Sequence, residues 1–381
     1  MPDALLASTL GHLAWLVAKA TENPPKRIAE SGIVGRIVDE LGPAFVVEVT
    51  DLGDGSINLF ARRGAPKLLW NFHLDTVPAA KGWDGSPFEL QVREGRAFGL
   101  GACDIKGAVA AMLSAVQSTT ADVALLFSTD EEAGKGRCIA EFVSRGLPFD
   151  GVVVAEPTRG EAVLAHRGIG TASGRFLGRA GHASRADASG DSATHEAVRW
   201  AGAALDLAES FSSENASANA SPGDRLVGLR FNLGRIEGGE KPNVVAAEAR
   251  VRFGVRPPPG HDPRATVERV EALAPHAARV EWEPGFFGPP LPAGEGETLA
   301  LAGRNLAARL DLPVGPPVDF WTEAALFSAR GYAAIVFGPG DIAQAHSKNE
   351  WVELQQLASV AHVYHDLLAV PFDPDPLRRK A

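Results

Sequence analysis

Four runs of apolar residues along the chain predict buried β-strands. The runs are KLLWNF (67–72), VALLF (123–127), GVVVA (151–155) and AAIVF (333–337). They show no polar alternation, which is typical of parallel strands that are covered on both faces. Between the first two runs lies CDIKGAVAAMLSAVQ, an alanine-rich segment that predicts a helix. Strands and helices in this alternation predict a doubly wound, mostly parallel α/β sheet.

The middle of the chain has a different pattern. After an extended stretch at 162–179 we expect a helix, two strands, a second helix and a last strand, at 192–211, 226–238, 243–256, 262–274 and 278–284. The order βαββαβ is the ferredoxin-like pattern. We therefore predict an inserted ferredoxin-like α+β domain at 167–290, and an α/β domain made of 1–166 and 291–381. Segment 212–224 is polar and low in complexity, which predicts a surface loop.

The length and composition limit the possible functions. A chain of 381 residues is too long for one hydrophobic core of ordinary size, which agrees with two domains. Its formal net charge of −10 argues against nucleic-acid binding, which favours a basic surface. Two cysteines, Cys103 and Cys138, are too few for a disulfide framework or a cysteine-rich zinc site. Because no apolar run approaches about 18 residues and the N-terminal segment lacks a basic region, we expect a cytoplasmic protein without a membrane span.

Acidic residues and histidines collect directly after the predicted parallel strands. The strands run into the segments HLDTVP, STDEE, AEPT and GPGDIAQAH. The carboxyl ends of such strands meet at one edge of the sheet, where ligands bind in α/β proteins. With the turn GLGACDIKG, these segments bring seven side chains to that edge: His73, Asp75, Asp104, Glu131, Glu132, Glu156 and His346. Any one of them could be a loop residue or a helix cap, but so many carboxylates in a dry crevice require cations.

Two divalent metal ions would balance this charge. Imidazole and carboxylate ligands without thiolate suit zinc, cobalt or manganese. His73 would hold one metal and His346 the other, with a carboxylate such as Asp104 bridging them. Asp75 lies two residues after His73, where it would orient the imidazole ring.

The adjacent pair Glu131 and Glu132 predicts a division of labour. Adjacent residues in an extended chain point in opposite directions, so one of the two can bind metal while the other faces the attacking water. Divalent metals lower the pKa of water toward ~7. The free carboxylate would take the proton during attack and return it to the leaving amine. The pattern therefore predicts a metal-dependent amide hydrolase.

The chain resembles the zinc aminoacylase/carboxypeptidase family in the ordered segments HLDTVP, GLGACDIKGAVAA, STDEEAG, VAEPT, GRAGHAS and AQAHSKNE. That family includes acetylornithine deacetylase, succinyl-diaminopimelate desuccinylase and dipeptidases, and the resemblance runs over nearly the whole chain. EAVLAHRGI, DFWTEAALFSA and FGPGDIAQAH look most like the acetylornithine deacetylase branch, and especially its members that act on N-acetylcitrulline.

The resemblance implies an activity. The expected reaction is hydrolysis of the N-acetyl amide of N-acetyl-L-citrulline or N-acetyl-L-ornithine, with release of acetate, in arginine biosynthesis. The expected cofactors are two Zn²⁺ or Co²⁺ ions. The inserted domain would be a lid and dimerisation domain that makes a homodimer.

The resemblance also assigns roles residue by residue. The metal ligands that it implies are His73, Asp104, Glu132, Glu156 and His346, with Asp104 as the bridge. Glu156 stands where many members of the family carry Asp. Glu131 would be the base and Asp75 the residue that orients the histidine ring.

Four further residues match family positions that bind substrate. His182, in GRAGHAS, would reach the site of the partner subunit and stabilise the oxyanion, although alone it is a typical solvated loop histidine. Arg256 and Asn243 would hold the substrate carboxylate and carbonyl, although an exposed strand arginine explains the pattern equally well. Glu323 would be a substrate-side acid or an ordinary first-turn helix residue.

A helix with an apolar stripe could cover the dimer interface. The stripe consists of Ala197, Val198, Ala201, Leu205 and Ala208.

Other functions fit the sequence less well. GLGACDIKG suggests a dinucleotide-binding oxidoreductase, but no third glycine follows at the required spacing and no long strand precedes it. A non-catalytic binding protein would be expected to lack a ligand or the base, whereas all seven positions are filled. Within the enzyme class, the sequence leaves open acetylcitrulline, acetylornithine, another acylated amino acid, succinyl-diaminopimelate or a dipeptide as substrate.

Overall fold

The computed structural model describes residues 3–184, 192–216, 226–276, 278–294 and 297–370. Its helices are α1 Ala4–Val17, α2 Ile28–Ser31, α3 Ile33–Leu41, α4 Lys106–Gln117, α5 Arg137–Ser144, α6 Ala193–Ala216, α7 Pro263–Glu271, α8 Thr298–Arg309, α9 Ala324–Ser328 and α10 Leu354–Ala369. Its strands are β1 Val46–Asp51, β2 Ile57–Arg63, β3 Leu68–His73, β4 Gln91–Arg93, β5 Arg96–Phe98, β6 Val123–Ser128, β7 Gly151–Val154, β8 Ile169–Leu177, β9 Gly181–His182, β10 Arg230–Gly238, β11 Val244–Val245, β12 Glu248–Arg256, β13 Arg279–Gly288, β14 Ala334–Val336 and β15 Trp351–Glu353.

The chain folds into two compact units. The first unit contains Met1–Leu164, Glu297–Gly315 and Thr322–Ala381, and the second contains Ala165–Gly296 and Pro316–Trp321. Among the described helices, none combines the length and the apolar composition needed to cross a bilayer.

The first unit is built on a six-stranded mixed sheet with the strand order β1-β2-β6-β3-β7-β14. The four strands β6, β3, β7 and β14 are parallel, whereas β1 and β2 run antiparallel at one edge. Every residue of β3, β6 and β7 is buried, which is why these strands appear in the sequence as unbroken apolar runs. The four predicted strands and the mostly parallel α/β class are confirmed.

Helix α4 lies in contact with α1 and α10 in this unit. Its side chains are buried along its length, from Lys106 to Val116. Small alanine side chains allow the neighbouring helices to approach closely, because the distance between helix axes depends on the side chains at the contact. Asp104, one of the residues predicted to bind metal, lies just before this helix. The tightly packed helix therefore fixes the backbone next to it.

A small antiparallel sheet with the order β15-β5-β4 positions two loops that carry predicted metal-binding residues, Asp104 and His346. Trp351 lies opposite Phe98, so the residues before β15 and after β5 share one end of the ladder. The backbone N–H of Gly99 donates to the carbonyl of Glu350 at 3.0 Å and extends this pairing. The turn after β5 and the loop before β15 therefore start from the same short ladder.

The second unit is a four-stranded antiparallel sheet with the order β10-β12-β8-β13. Since the chain passes through β8, α6, β10, β12, α7 and β13, this is the ferredoxin-like arrangement. Alternate residues of β12 are buried, which is the period expected of a strand with one face covered. Trp200 of α6 is fully buried in the core of this unit.

Three details of this unit differ from the predictions. The strand predicted at 243–256 is two strands, because β11 pairs with β9 whereas β12 pairs with β10 and β8. The loop predicted at 212–224 begins inside α6, which continues to Ala216, and the remainder lies outside the described residues. The predicted apolar stripe divides, since Ala197 and Ala201 are buried in their own unit while Val198 and Leu205 are exposed.

Candidate metal centre

Three parallel strands and two turns of the first unit carry the predicted metal-binding residues. His73 is the last residue of β3, Glu131 and Glu132 follow β6, and Glu156 follows β7. Two further residues come from turns: Asp104 just before α4, and His346 after a short 3-10 turn. All of these elements belong to the first unit, so the site is built at one edge of its sheet.

The first group of possible ligands contains His73, Asp104 and Glu156, and is called the His73 group below. Nε2 of His73 lies 3.0 Å from Oδ1 of Asp104 and 3.8 Å from Oε1 of Glu156. All three side chains are buried. One imidazole nitrogen and two carboxylate oxygens therefore converge on one point.

The second group contains Asp104, Glu132 and His346, and is called the His346 group below. Nε2 of His346 lies 2.9 Å from Oε1 of Glu132 and 3.4 Å from Oδ2 of Asp104. Asp104 thus turns one carboxylate oxygen toward each histidine. A carboxylate that bridges two metal ions needs this arrangement.

Asp75 connects the two groups. The backbone carbonyl of Asp75 accepts a hydrogen bond from Nδ1 of His73 at 2.9 Å, and its Oδ1 lies 3.6 Å from the same nitrogen. Because Nδ1 carries the proton in this contact, Nε2 keeps a free lone pair that faces the other two members of the His73 group, Asp104 and Glu156. The other oxygen, Oδ2, accepts from the backbone N–H of Glu132 at 3.0 Å. One buried aspartate therefore orients a residue of each group.

The charges of the site favour cations. Burial raises the pKa of Glu156 well above its usual value, and the charge of Asp104 adds to this rise. Burial also acts to raise the pKa of Asp104, but hydrogen bonds with His346 and His73 hold it below its usual range. Clustered carboxylates with raised pKa values are stabilised by bound cations. The donors, imidazole and carboxylate without thiolate, fit two divalent metal ions.

Glu131 lies beside this donor set, and within the described residues it belongs to neither group. Burial raises its pKa well above the usual value, His73 opposes that rise, and the charges of Glu132 and Glu156 add to it. A carboxylate with a raised pKa can hold a proton near neutral pH. The pair Glu131 and Glu132 thus has one member in the donor set and one outside it.

Glu323 is buried at the N-cap position of α9 in the same unit. Its Oε2 accepts a hydrogen bond from the hydroxyl of Ser128 at 2.7 Å, at the end of β6. Its Oε1 has no hydrogen-bond partner within the part of the chain that the structure describes. Burial raises the pKa of Glu323 to about 8, which favours a protonated acid.

The other predicted substrate residues lie in the second unit. His182 is exposed on the β9/β11 ribbon opposite Val244, and the neighbouring Ala183 N–H donates to the carbonyl of Asn243 at 3.1 Å. Arg256 is the last residue of β12 and lies opposite Arg230, beside a cavity of about 550 Å³ on the sheet. The structure thus brings His182 and Asn243 together on one ribbon.

The sequence analysis missed Glu350. Its carboxylate is buried and accepts from the backbone N–H groups of Gly101, Cys103 and Asp104 at 2.9–3.1 Å. The available signal was an acid four residues after His346, at the point where a strand begins. Its three partners lie about 250 residues earlier in the chain, so no local pattern reveals them.

An α/β sheet whose carboxyl edge carries a paired metal donor set, with a separate carboxylate beside it, defines a metal-dependent hydrolase. The chain belongs to Peptidase family M20/M25/M40, whose sequence profile matches residues 69–370.

Relatives and solved structures agree with this assignment. The N-acetyl-L-citrulline deacetylase of Xanthomonas campestris pv. campestris is 52% identical over 93% of this chain and 95% of that protein. The acetylornithine deacetylase of Myxococcus xanthus is 30% identical over 81% of this chain and 82% of that protein. The M20 family metallo-carboxypeptidase Sso-CP2 from Sulfolobus solfataricus superposes with a TM-score of 0.73 at 17% identity, covering 94% and 98% of the two chains. This last similarity shows the shared fold.

Proposed function

We propose that this hydrolase removes the acetyl group from N-acetyl-L-citrulline, releasing acetate and the free amino acid, in arginine biosynthesis. N-acetyl-L-ornithine is the second candidate substrate, since acetylornithine deacetylases are also related to this chain. The observation that carries the proposal is Asp104, which is shared by the two donor groups while Glu131 remains outside them. The 52% identity to an N-acetyl-L-citrulline deacetylase supports N-acetyl-L-citrulline as the substrate.

The metal ions are held by the two groups already described. His73 and Glu156 would hold one ion and Glu132 and His346 the other, with Asp104 shared between them. Zn²⁺ or Co²⁺ suits these donors, and when bound it polarises the amide carbonyl and makes water a better nucleophile.

Glu131 acts as the general base. It takes a proton from the attacking water and then gives that proton to the leaving nitrogen, so that the amine departs in neutral form. Asp75 keeps the ring of His73 in one orientation through the contact at Nδ1. Glu131 is half-buried beside the donor set, where burial and the neighbouring carboxylates raise its pKa and so favour its taking up a proton.

Residues of the second unit recognise the substrate. Arg256 binds the α-carboxylate, since a guanidinium can hold a carboxylate with two hydrogen bonds. Asn243 donates to the substrate carbonyl. His182 of the partner subunit stabilises the oxyanion that forms at the oxygen of the acetyl carbonyl. From the first unit, Glu323 provides an acid on the substrate side.

A homodimer through the second unit would supply that histidine. Strand β10 lies at an edge of its sheet, where another strand can pair. Val198 and Leu205 of α6 are 61% and 50% exposed and offer apolar contacts for a second copy.

We place the enzyme in the cytoplasm, since its two cysteines are both free and buried.

A hydrolysis panel tests the substrate. Purified enzyme loaded with zinc or cobalt is assayed with N-acetyl-L-citrulline, N-acetyl-L-ornithine, N-succinyl-diaminopimelate and a dipeptide. We expect kcat/KM to be highest for N-acetyl-L-citrulline, with free acetate as product. A higher kcat/KM for the ornithine compound would change the substrate, and activity on the dipeptide or the succinyl compound alone would overturn the deacetylase proposal.

A further inference from the structure

Glu350 makes an unusual set of contacts for a buried acid. Its side chain is 1% exposed. Oε1 accepts from the backbone N–H groups of Cys103 at 2.9 Å and Asp104 at 3.0 Å, and Oε2 accepts from that of Gly101 at 3.1 Å. Its backbone carbonyl accepts from Gly99 at 3.0 Å. One residue thus binds four N–H groups of the turn that carries the bridging carboxylate.

The same residue ends the loop that carries His346. Both His346 and Asn349 have a φ of 55°, in the left-handed region that is costly for residues other than glycine. Such a conformation persists only when surrounding contacts hold it. The contacts of Glu350 fix the end of this loop, and the β5/β15 ladder continues from it.

We propose that Glu350 is the positioning residue of the metal centre. By binding the N–H of Asp104 while it ends the His346 loop, it sets the position of the bridging carboxylate relative to the His346 group. The inference rests on the two-metal site of the proposed function. The hydrogen bonds of Glu350 go to the backbone of the Asp104 turn rather than to the carboxylate of Asp104, so it acts on that carboxylate through the position of the turn.

The substitution Glu350→Gln separates this role from simple packing. Glutamine has nearly the same volume, so it leaves no large cavity. Its single carbonyl oxygen can accept from Cys103 and Asp104, but its NH₂ group then faces the N–H of Gly101, and two donors repel. A neutral amide also forms weaker hydrogen bonds with backbone N–H groups than a carboxylate does. The turn is therefore expected to move while the fold is kept.

The control is Asp122→Asn. Oδ2 of Asp122 accepts from the backbone N–H of Ala65 at 3.0 Å, so it is also a contact from a carboxylate to a backbone amide. It lies just before β6, at the end of that strand opposite to Glu131 and Glu132. This variant measures the effect of losing such a contact away from the metal ligands.

The experiment measures zinc binding to metal-stripped full-length protein by calorimetry, and the visible spectrum of the protein loaded with cobalt. We expect at least one of the two zinc affinities of Glu350→Gln to fall by about 10–100-fold, as for other residues that support metal ligands. The cobalt spectrum should change, and kcat should fall with KM changed less than about threefold. Asp122→Asn should match the wild type in all three measurements.

Wild-type zinc affinities and an unchanged cobalt spectrum in Glu350→Gln would overturn the proposal, even if the melting temperature falls. If that variant does not fold, Glu350→Asp retains the charge with a shorter reach and is expected to show a smaller loss of affinity in the same direction. Because metal binding needs no substrate, a wild type that binds two metals but hydrolyses no acyl amino acid would contradict the proposed function alone.

Discussion

Asp104 shows how a single residue organises the site. Its side chain is short and buried, and its two oxygens face His73 at 3.0 Å and His346 at 3.4 Å. The tight packing of α4 directly after it leaves little freedom for that carboxylate. The cluster of acids after the strands is therefore a donor set around one shared residue.

At the residue scale, the first prediction concerns Glu131 and Glu132. Glu131→Gln removes the base but none of the donors, so we expect two bound metals and a kcat lowered by roughly 10²–10⁴. Glu132→Gln removes a donor that lies 2.9 Å from His346, so we expect loss of metal as well as activity. Metal analysis of the dialysed variants, together with steady-state kinetics, measures both effects. An equal fall in metal content for the two variants would contradict this division of roles.

At the scale of elements, helix α6 carries apolar residues on both a buried and an exposed face. Ala193, Ala197, Ala201 and Ala204 are buried in the core of its own unit, while Val198 and Leu205 are exposed. The sequence shows an apolar stripe on this helix but not which of its residues the neighbouring sheet covers. An apolar residue fits the pattern whether it is buried or exposed. The division depends on the position of the four-stranded sheet under the helix.

The second prediction uses Trp200 of this helix. Its ring centroid lies 5.2 Å from that of Phe253 and 5.4 Å from that of Trp282, and its Nε1–H donates to the carbonyl of Val270 at 2.9 Å. Trp200→Ala leaves a cavity and removes one hydrogen bond to the Val270 carbonyl, so it should lower the free energy of unfolding by about 3–5 kcal/mol. Val198→Ala on the exposed face should change it by less than about 0.5 kcal/mol. Urea denaturation of both variants measures the difference, and similar losses would contradict the packing described for α6.

At the scale of the whole molecule, the third prediction concerns the dimer. If His182 acts in the partner subunit, its loss should lower kcat by roughly 10²–10³ with little change in metal content. A His182→Ala chain and a Glu131→Gln chain, each nearly inactive alone, are then mixed. Mixed dimers combine an intact His182 with an intact metal centre, so about half of the wild-type activity per dimer should return.

The control for this experiment is subunit exchange, followed by mass spectrometry of differently tagged chains. If exchange occurs and activity stays at the level of the single variants, His182 does not act in the partner subunit. Each tagged variant is also mixed with wild-type chain. If the activity of that mixture falls only in proportion to the fraction of wild-type chain, the tags themselves have no effect. The result therefore depends only on which chain supplies the histidine.

Local patterns in the sequence determined the buried parallel strands, the helix before β6 and the βαββαβ order. Burial on both faces removes polar residues from a strand, so these elements are visible without tertiary information. Strand β1 was missed because its residues are exposed or half-buried. The candidate ligands were found for a related reason, since residues that follow parallel strands must meet at one edge.

The sequence predicted Asp104 as a shared carboxylate, but tertiary structure alone decided which carboxylates lie beside each histidine, the splitting of the strand at 243–256 and the role of Glu350. The carboxylate of Glu350 and its amide partners are separated by about 250 residues, and a strand breaks only when its two parts find different partners. These features depend on contacts between distant segments, and the spacing of residues along a chain carries no information about such distances. For the same physical reason, the sequence named the candidate ligands of the metal centre, and the fold determined which of them lie together.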